Sequence, residues 1–298
     1  MTTDPQDVPK TLASVELADH RRLSWHEFGD RGGRPCVFLP GAGTSGLAGA
    51  ALHTAAAAHN IRLISIDRPG LGLSDPAIPR TLVDWATDIE QLADHENLEH
   101  FTQLGHSAGG AYALAVTRRL TTRVQHTVIG AGSAPYSETW TRDREIVPGG
   151  TRLYFNMAVR APKLFSALHL LGTPRTSKAI DRLLNAVSRG KSPDASFAGA
   201  HPEQTRISFA ALADGCRQGG AGPTEDLAAL TRPWGFDLTE VTGPVDWWHG
   251  EHDTNVTARS GREITSRLPN ATAHFVDGGH YIVFSHADEI MAAFAAAN

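Results

Sequence analysis

The chain has 298 residues, 41% hydrophobic and 20% charged, which suits one large globular domain or two small ones and excludes disorder and fibre. Its 27 Lys and Arg against 32 Asp and Glu give a net charge of -5, with no basic run to track phosphates, so no nucleic-acid partner is expected. The longest apolar stretches, such as residues 48–58, are interrupted by His53 or Thr54 and fall short of the roughly 20 residues a membrane helix needs, so no membrane partner is expected either.

The first twenty residues carry Asp4, Asp7, Lys10 and Glu16 and no apolar core, which argues against a secretory leader. Two cysteines, Cys36 and Cys216, are too few for a disulfide framework and too far apart for a metal or redox pair. A cytoplasmic, reducing location is the expectation.

Residues 12–18 and 21–28 read as two opening strands joined at Asp19-His20, an antiparallel hairpin. Cys36-Val37-Phe38-Leu39 is a short buried run that stops at Pro40-Gly41, and the Ala-rich stretch 47–59 follows it as a helix. The next unit is a strand over 61–66, closed by Asp67-Arg68-Pro69-Gly70, and a helix over 82–98 with Leu82, Trp85, Ile89, Leu92 and Ala93 on one face. A third strand, 101–104, runs into Gly105-His106-Ser107-Ala108-Gly109-Gly110 and a helix over 111–120. Residues 124–129 read as another buried strand, and 245–249 and 273–276 supply the last two, each followed by a helix. The alternation predicts an α/β fold with a mostly parallel sheet of about eight strands and helices on both faces. Between Ala134 and about Pro233 the alternation gives way to helical segments alone, predicting an inserted helical cap over residues 135–235 that divides a core of residues 1–134 and 236–298.

Gly105-His106-Ser107-Ala108-Gly109 fits G-x-S-x-G. With 17 serines and 29 glycines the bare pattern arises by chance about 0.16 times in such a chain, so its placement between a buried strand and a helix carries the weight. A strand reversing sharply into a helix strains the central residue, leaves room only for glycine on either side, and lifts the hydroxyl into the open. A serine hydroxyl is a weak nucleophile and needs a base whose tautomer is fixed by a third group.

In this architecture the acid and then the base follow the serine at the ends of late strands. Among 15 histidines that order selects His280, in Val276-Asp277-Gly278-Gly279-His280; His106 reads as packing, and His249 as a strand-end residue pointing into the sheet. For the acid, Asp253 lies in the loop beyond the strand 27 residues before His280, whereas Asp246 falls inside the strand and Glu251 in a solvated turn. Gly130-Ala131-Gly132-Ser133 offers no carboxylate at the alternative position. Oxyanion donors are expected from the amides of Ala108 and, in the loop after the first parallel strand, Ala42. Residues 67–74 read as scaffold. No Walker-type or dinucleotide fingerprint and no HExxH spacing occurs, so neither cofactor nor metal is expected.

Taken in order, Val37-Phe38-Leu39-Pro40-Gly41, Asp67-Arg68-Pro69-Gly70-Leu71-Gly72-Leu73-Ser74, Gly105 to Gly110, Trp248-His249-Gly250-Glu251-His252-Asp253 and Gly278-Gly279-His280 make nearly the whole chain resemble the α/β-hydrolase superfamily, in particular its soluble esterase-like members common in actinobacteria. The resemblance implies Ser107, Asp253 and His280 as a triad, Ala42 and Ala108 as oxyanion donors, and a variable cap. The chain has Pro40-Gly41 where the family usually has His-Gly, and a serine where dehalogenases and epoxide hydrolases of this architecture carry aspartate. The function expected is cofactor-free cleavage of an ester, thioester or lactone of a small to medium, partly apolar molecule through an acyl-enzyme. The alternatives are a biosynthetic tailoring enzyme using the same residues for cyclisation, elimination or carbon-carbon cleavage, and a ligand receptor with slow turnover. Oligomeric state and substrate identity are left open by the sequence.

Overall fold

The computed structural model describes residues 11–136, 147 and 149–296. The expectation drawn from Asp4, Asp7 and Lys10, and residues 137–146 and 148 of the expected cap, lie outside them.

Eight strands form one sheet: β1 (Thr11–Glu16), β2 (Arg22–Gly29), β3 (Arg34–Leu39), β4 (Ile61–Asp67), β5 (Phe101–His106), β6 (Val124–Gly130), β7 (Val245–Gly250) and β8 (Ala271–Val276). Their order is β1-β2-β4-β3-β5-β6-β7-β8. The pairs β1–β2 and β2–β4 are antiparallel and every other pair is parallel. The chain therefore shows the mostly parallel eight-stranded sheet and the opening hairpin expected from its pattern.

Side-chain alternation assigns the two faces. Val37, Leu39, Ile64, Ile66 and Ile129 point into one core, packed by helices α2 (Leu82–His95) and α3 (Ala108–Arg119). Cys36, Phe38, Leu63 and Val128 point into the other, where α1 (His53–Ala58), α11 (Ile282–Ser285) and α12 (Ala287–Ala296) contribute Ala56, Ile282, Val283, Ile290, Met291 and Phe294. Burying both faces is why these strands read as continuous apolar runs.

Among the described residues, the segment between β6 and β7 holds no strand. Its described α-helices are α4 (Gly149–Arg160), α5 (Pro162–Gly172), α6 (Ser177–Val187), α7 (Pro193–Ala200), α8 (Pro202–Gly215) and α9 (Ala221–Thr231), with a 3-10 helix at Leu238–Glu240; α10 (Ala258–Thr265) follows β7.

Two elements differ from the sequence expectation. The helix expected over 47–59 is a 3-10 helix at Gly46–Leu52 that passes into α1. Glycines weaken an α-helix, and here they permit close approach to β4: a Cβ on Gly46 would stand 2.3 Å from the Ser65 carbonyl oxygen, and one on Gly49 would stand 2.7 Å from Ser65 Cβ. The second helix stops at His95 instead of Leu98, because Asn97 takes a left-handed conformation (φ 55°) that turns the chain toward β5.

The sheet has its topological switch between β3 and β5: from β3 the chain moves outward to β4, then crosses back over β3 to β5. Crevices at such points, beyond the carboxyl ends of the strands, are where open α/β sheets hold ligands. The carboxyl ends concerned are Leu39-Pro40 and His106-Ser107.

Closeness at this crevice depends on Gly109, where a Cβ would lie 1.9 Å from the Leu39 carbonyl oxygen. Backbone cannot yield as a side-chain tip does, so Gly109→Ala is expected to lower unfolding stability by about 1–3 kcal/mol or more. The check is the urea midpoint at constant m; an unchanged midpoint contradicts the close packing of α3 on β3.

Candidate active site

Ser107 stands between β5 and α3 at φ 54° and ψ -120°, a left-handed backbone position for a residue that carries a Cβ. The reversal is held from outside: Ser107 N–H donates to the Gly130 carbonyl (2.9 Å), and the Ser107 carbonyl accepts from Ser133 N–H (3.0 Å); the same carbonyl also accepts from Gly110 N–H of α3 (3.0 Å). Glycine spacing follows from crowding. A Cβ on Gly105 would lie 2.8 Å from the Gly109 carbonyl oxygen, and one on Gly110 2.7 Å from the Ile129 side chain. Strain of this kind, about 1–3 kcal/mol, persists where surrounding structure over-determines it.

The late segment brings His280 and Asp253 together. His280 Nδ1–H donates to Asp253 Oδ2 at 2.7 Å, which leaves Nε2 as the unprotonated nitrogen of the neutral ring. Asp253 Oδ1 accepts from Asn255 N–H (2.8 Å) and Val256 N–H (3.0 Å), so the carboxylate is fixed by its own loop. His106, the residue before Ser107, donates Nε2–H to the His280 carbonyl (3.1 Å), and the two rings lie 5.1 Å apart. His280 is thereby tied to the turn that carries Ser107.

Burial works against charge on both members of the pair, and their mutual attraction outweighs it. Burial pulls the His280 imidazole down, but the charge and hydrogen bond of Asp253 set it above its ordinary value of 6.5. Burial pushes the Asp253 carboxyl up, but His280 holds it below the usual carboxylate range. His106 has no such partner, and burial brings it down to about 3, so it stays neutral.

The rival acids are engaged elsewhere: Asp246 faces His126 (3.3 Å), and Glu251 pairs with Arg262. His249 is buried and acts as a prop, accepting from Trp247 Nε1–H (3.1 Å) and donating Nε2–H to the Val256 carbonyl (2.8 Å).

The loop after β3 lies beside the serine. A Cβ on Gly41 would stand 3.6 Å from Ser107 Cβ, so Gly41 packs directly against the serine turn. Ala108 opens α3 directly after Ser107. Sequence reading did not reach what holds this loop. Arg68, fully buried, donates Nη1–H to the Pro40 carbonyl (2.5 Å) and Nη2–H to the Gly41 carbonyl (2.6 Å). It also forms a two-pronged pair with Asp226 of α9, both contacts at 2.8 Å. Asp226 in turn accepts from Gly43 N–H (2.9 Å). Burial pushes Asp226 up, but Arg68 and Arg80 overcome it and hold the carboxyl at about 2. Residues 67–74 were read as scaffold, and their signal was a charged Arg68 placed directly after a buried strand. Asp226, 158 residues away, had none.

One group among the described residues has metal-ligand composition: His26, Asp67 and Asp214, with potential ligand atoms within 4.8 Å of one another. Asp67 already accepts from Gly46 N–H (2.7 Å) and Leu73 N–H (2.9 Å), and Asp214 from Arg217 (2.7 Å), so the group is explained as a hydrogen-bonded frame.

In the segment after β6, Tyr136 stacks on Phe155 at 3.8 Å, and Tyr154 meets Phe165 edge to face at 4.8 Å. These rings extend the apolar surface from the end of β6 into α4 and α5.

The Asp253 charge can be tested without turnover. By NMR the His280 imidazole is expected to titrate above 6.5, and in Asp253→Asn its midpoint is expected to fall, because burial then acts with less opposition. An unmoved midpoint contradicts the pairing.

A sequence model of the family described as alpha/beta hydrolase fold matches residues 35–287. Proline iminopeptidase of Arabidopsis thaliana is 25% identical over 163 residues, which are 48% of this chain and 43% of that one, so the chain matches less than half the length of that relative. Similar solved structures include a bromoperoxidase from Bacillus anthracis (19% identity, TM-score 0.70, covering 96% of this chain and 98% of that one). An esterase from Exiguobacterium antarcticum follows (16%, 0.69, 95% and 98%), and an enol-lactonase from Burkholderia xenovorans (19%, 0.64, 94% and 97%). At these identities the structures speak for the fold alone. The match over residues 35–287, with the sheet order and helices described above, shows that the chain belongs to the alpha/beta hydrolase fold family.

Proposed function

We propose that the protein is a serine hydrolase that cleaves an ester, thioester or lactone of a small to medium, partly apolar molecule through an acyl-enzyme. The observation that carries this reading is Ser107 at its left-handed turn, tied through His106 to a histidine whose far nitrogen is hydrogen-bonded to a buried carboxylate. Ser107 attacks the carbonyl while His280 Nε2 takes its proton. Asp253 fixes the tautomer and stabilises the imidazolium, which then protonates the leaving group; water repeats the sequence to release the acid. The amides of Ala108 and Ala42 face the developing oxyanion, and the N-terminal end of α3 adds its dipole. On this reading the helices α4 to α9, within residues 135–235, serve as a cap, and the rings of Tyr136, Phe155, Tyr154 and Phe165 favour apolar acyl or alcohol parts. Relatives of the same fold named as an esterase and an enol-lactonase agree with carbonyl-oxygen chemistry.

The test is a panel of p-nitrophenyl esters graded by acyl length and a set of lactones, with wild type and Ser107→Ala side by side. Ser107→Ala is expected to lower kcat by about 10³-fold or more while the circular dichroism spectrum is kept. In the wild type kcat/KM is expected to fall on the acid side with a midpoint above 6.5, since His280 must be neutral to accept the proton and Asp253 raises its affinity for one. Equal rates for the two proteins would remove Ser107 from the chemistry.

A further inference from the structure

Arg68 and Asp226 contact neither the serine nor the imidazole, yet their hydrogen bonds converge on the loop beside Ser107. We infer that they are positioning residues for the reaction: a buried clasp in which Arg68, held by Asp226 from the segment between β6 and β7, aims the Ala42 amide at the oxyanion. The inference rests on the serine-hydrolase reading above and adds to it the group that orients one of its donors.

The argument is one of peptide geometry. The Gly41 carbonyl and the Ala42 N–H belong to a single planar trans peptide and point in opposite directions. Arg68 Nη2 binds that carbonyl at 2.6 Å, and so directs the Ala42 N–H away from the guanidinium. Both neighbouring peptides are fixed too: the Pro40 carbonyl accepts from Arg68 Nη1–H at 2.5 Å, and Gly43 N–H donates to Asp226 Oδ2 at 2.9 Å. The Gly41 carbonyl also accepts a longer bond from Thr44 N–H, 3.3 Å. Rotation of the Gly41–Ala42 peptide thus requires breaking a charge-assisted hydrogen bond in a site closed to water.

Charge explains why two residues are needed. A guanidinium without exposure is strongly unfavourable unless paired, and Asp226, equally buried, pairs with it through two parallel contacts. The fork of Arg68 reaches two carbonyls and a carboxylate at once, which the single ammonium of lysine cannot reproduce. Tyr112 Oη (3.0 Å) and Arg80 (3.3 Å) also face Asp226, but their hydrogen bonds do not reach the loop of residues 40–43. The clasp therefore joins the oxyanion loop to α9, so that a displacement of that helix is felt by the Ala42 amide.

The experiment compares wild type, Arg68→Lys, Asp226→Asn and Arg80→Gln, all shown folded by near-ultraviolet circular dichroism. Steady-state hydrolysis of the best p-nitrophenyl ester, the rate of phosphonylation by a fluorophosphonate probe and the urea midpoint are measured on each. Asp226→Glu, which keeps the charge, replaces Asp226→Asn should the latter not fold.

Arg68→Lys and the Asp226 variant are expected to lower kcat by about 10- to 100-fold with KM nearly unchanged, and to slow phosphonylation in parallel, as a displaced donor requires. Arg80→Gln is expected to lose stability and keep kcat within about threefold. If the Arg68 and Asp226 variants lose stability but keep kcat and labelling rate, or if Arg80→Gln loses kcat as deeply as they do, the clasp is structural and the inference is overturned. A wild type that neither hydrolyses any ester nor labels at Ser107 instead overturns the serine reading, and does so before any clasp variant is compared.

Discussion

The left-handed backbone of Ser107 is the constraint from which the local architecture follows. To place φ at 54° at the end of a buried strand, β5 must reverse within one residue into α3. That reversal brings α3 so near to β3 that Gly109 faces the Leu39 carbonyl with no room for a methyl group. Two backbone hydrogen bonds, one to Gly130 of β6 and one from Ser133 in the turn after it, hold the conformation, with a third from Gly110 of α3 itself. The strain is local, and the large buried sheet that surrounds it supplies the stability needed to maintain it.

Around this turn the protein handles charge in two ways. Half-buried His280 and buried Asp253 interact so that the histidine becomes more basic while the carboxyl stays ionised. Arg68 and Asp226 are buried more deeply, and their interaction fixes backbone instead of moving protons. Neutral histidines fill the space between: His106 bridges the serine turn to His280, and His249 props the loop of Asp253 through Val256. Each neutral ring uses its hydrogen bonds to position a neighbour, which is how a small volume holds many polar groups at low cost in unsatisfied donors.

Much of the fold was legible because each element leaves a local signature. Every strand of the sheet lies within a few residues of its expected place; β3, β4 and β5, buried on both faces, read as apolar runs, while the partly exposed β1 and β8 at the sheet edges do not owe their legibility to burial. The elements that differed were set by contacts distant in sequence. Gly46 and Gly49 reshape the expected helix because they press on Ser65, and Asn97 ends the second helix to deliver the chain to β5.

Residue type and order alone determined the class of fold, the family and the short set of residues worth considering, because a strained turn demands glycines at fixed offsets and the alternation of strands and helices reports which faces are buried. They also ranked Asp253 above Asp246 and Glu251. Tertiary structure decided what each polar group faces. Asp253 lies 2.7 Å from His280, while Glu251 is taken by Arg262 and Asp246 by His126. It alone decided that Arg68 and Asp226, 158 residues apart, meet beneath the loop beside Ser107. Such a pairing has no periodicity to announce it, since hydrogen bonds between remote segments depend on distances that only the folded chain sets.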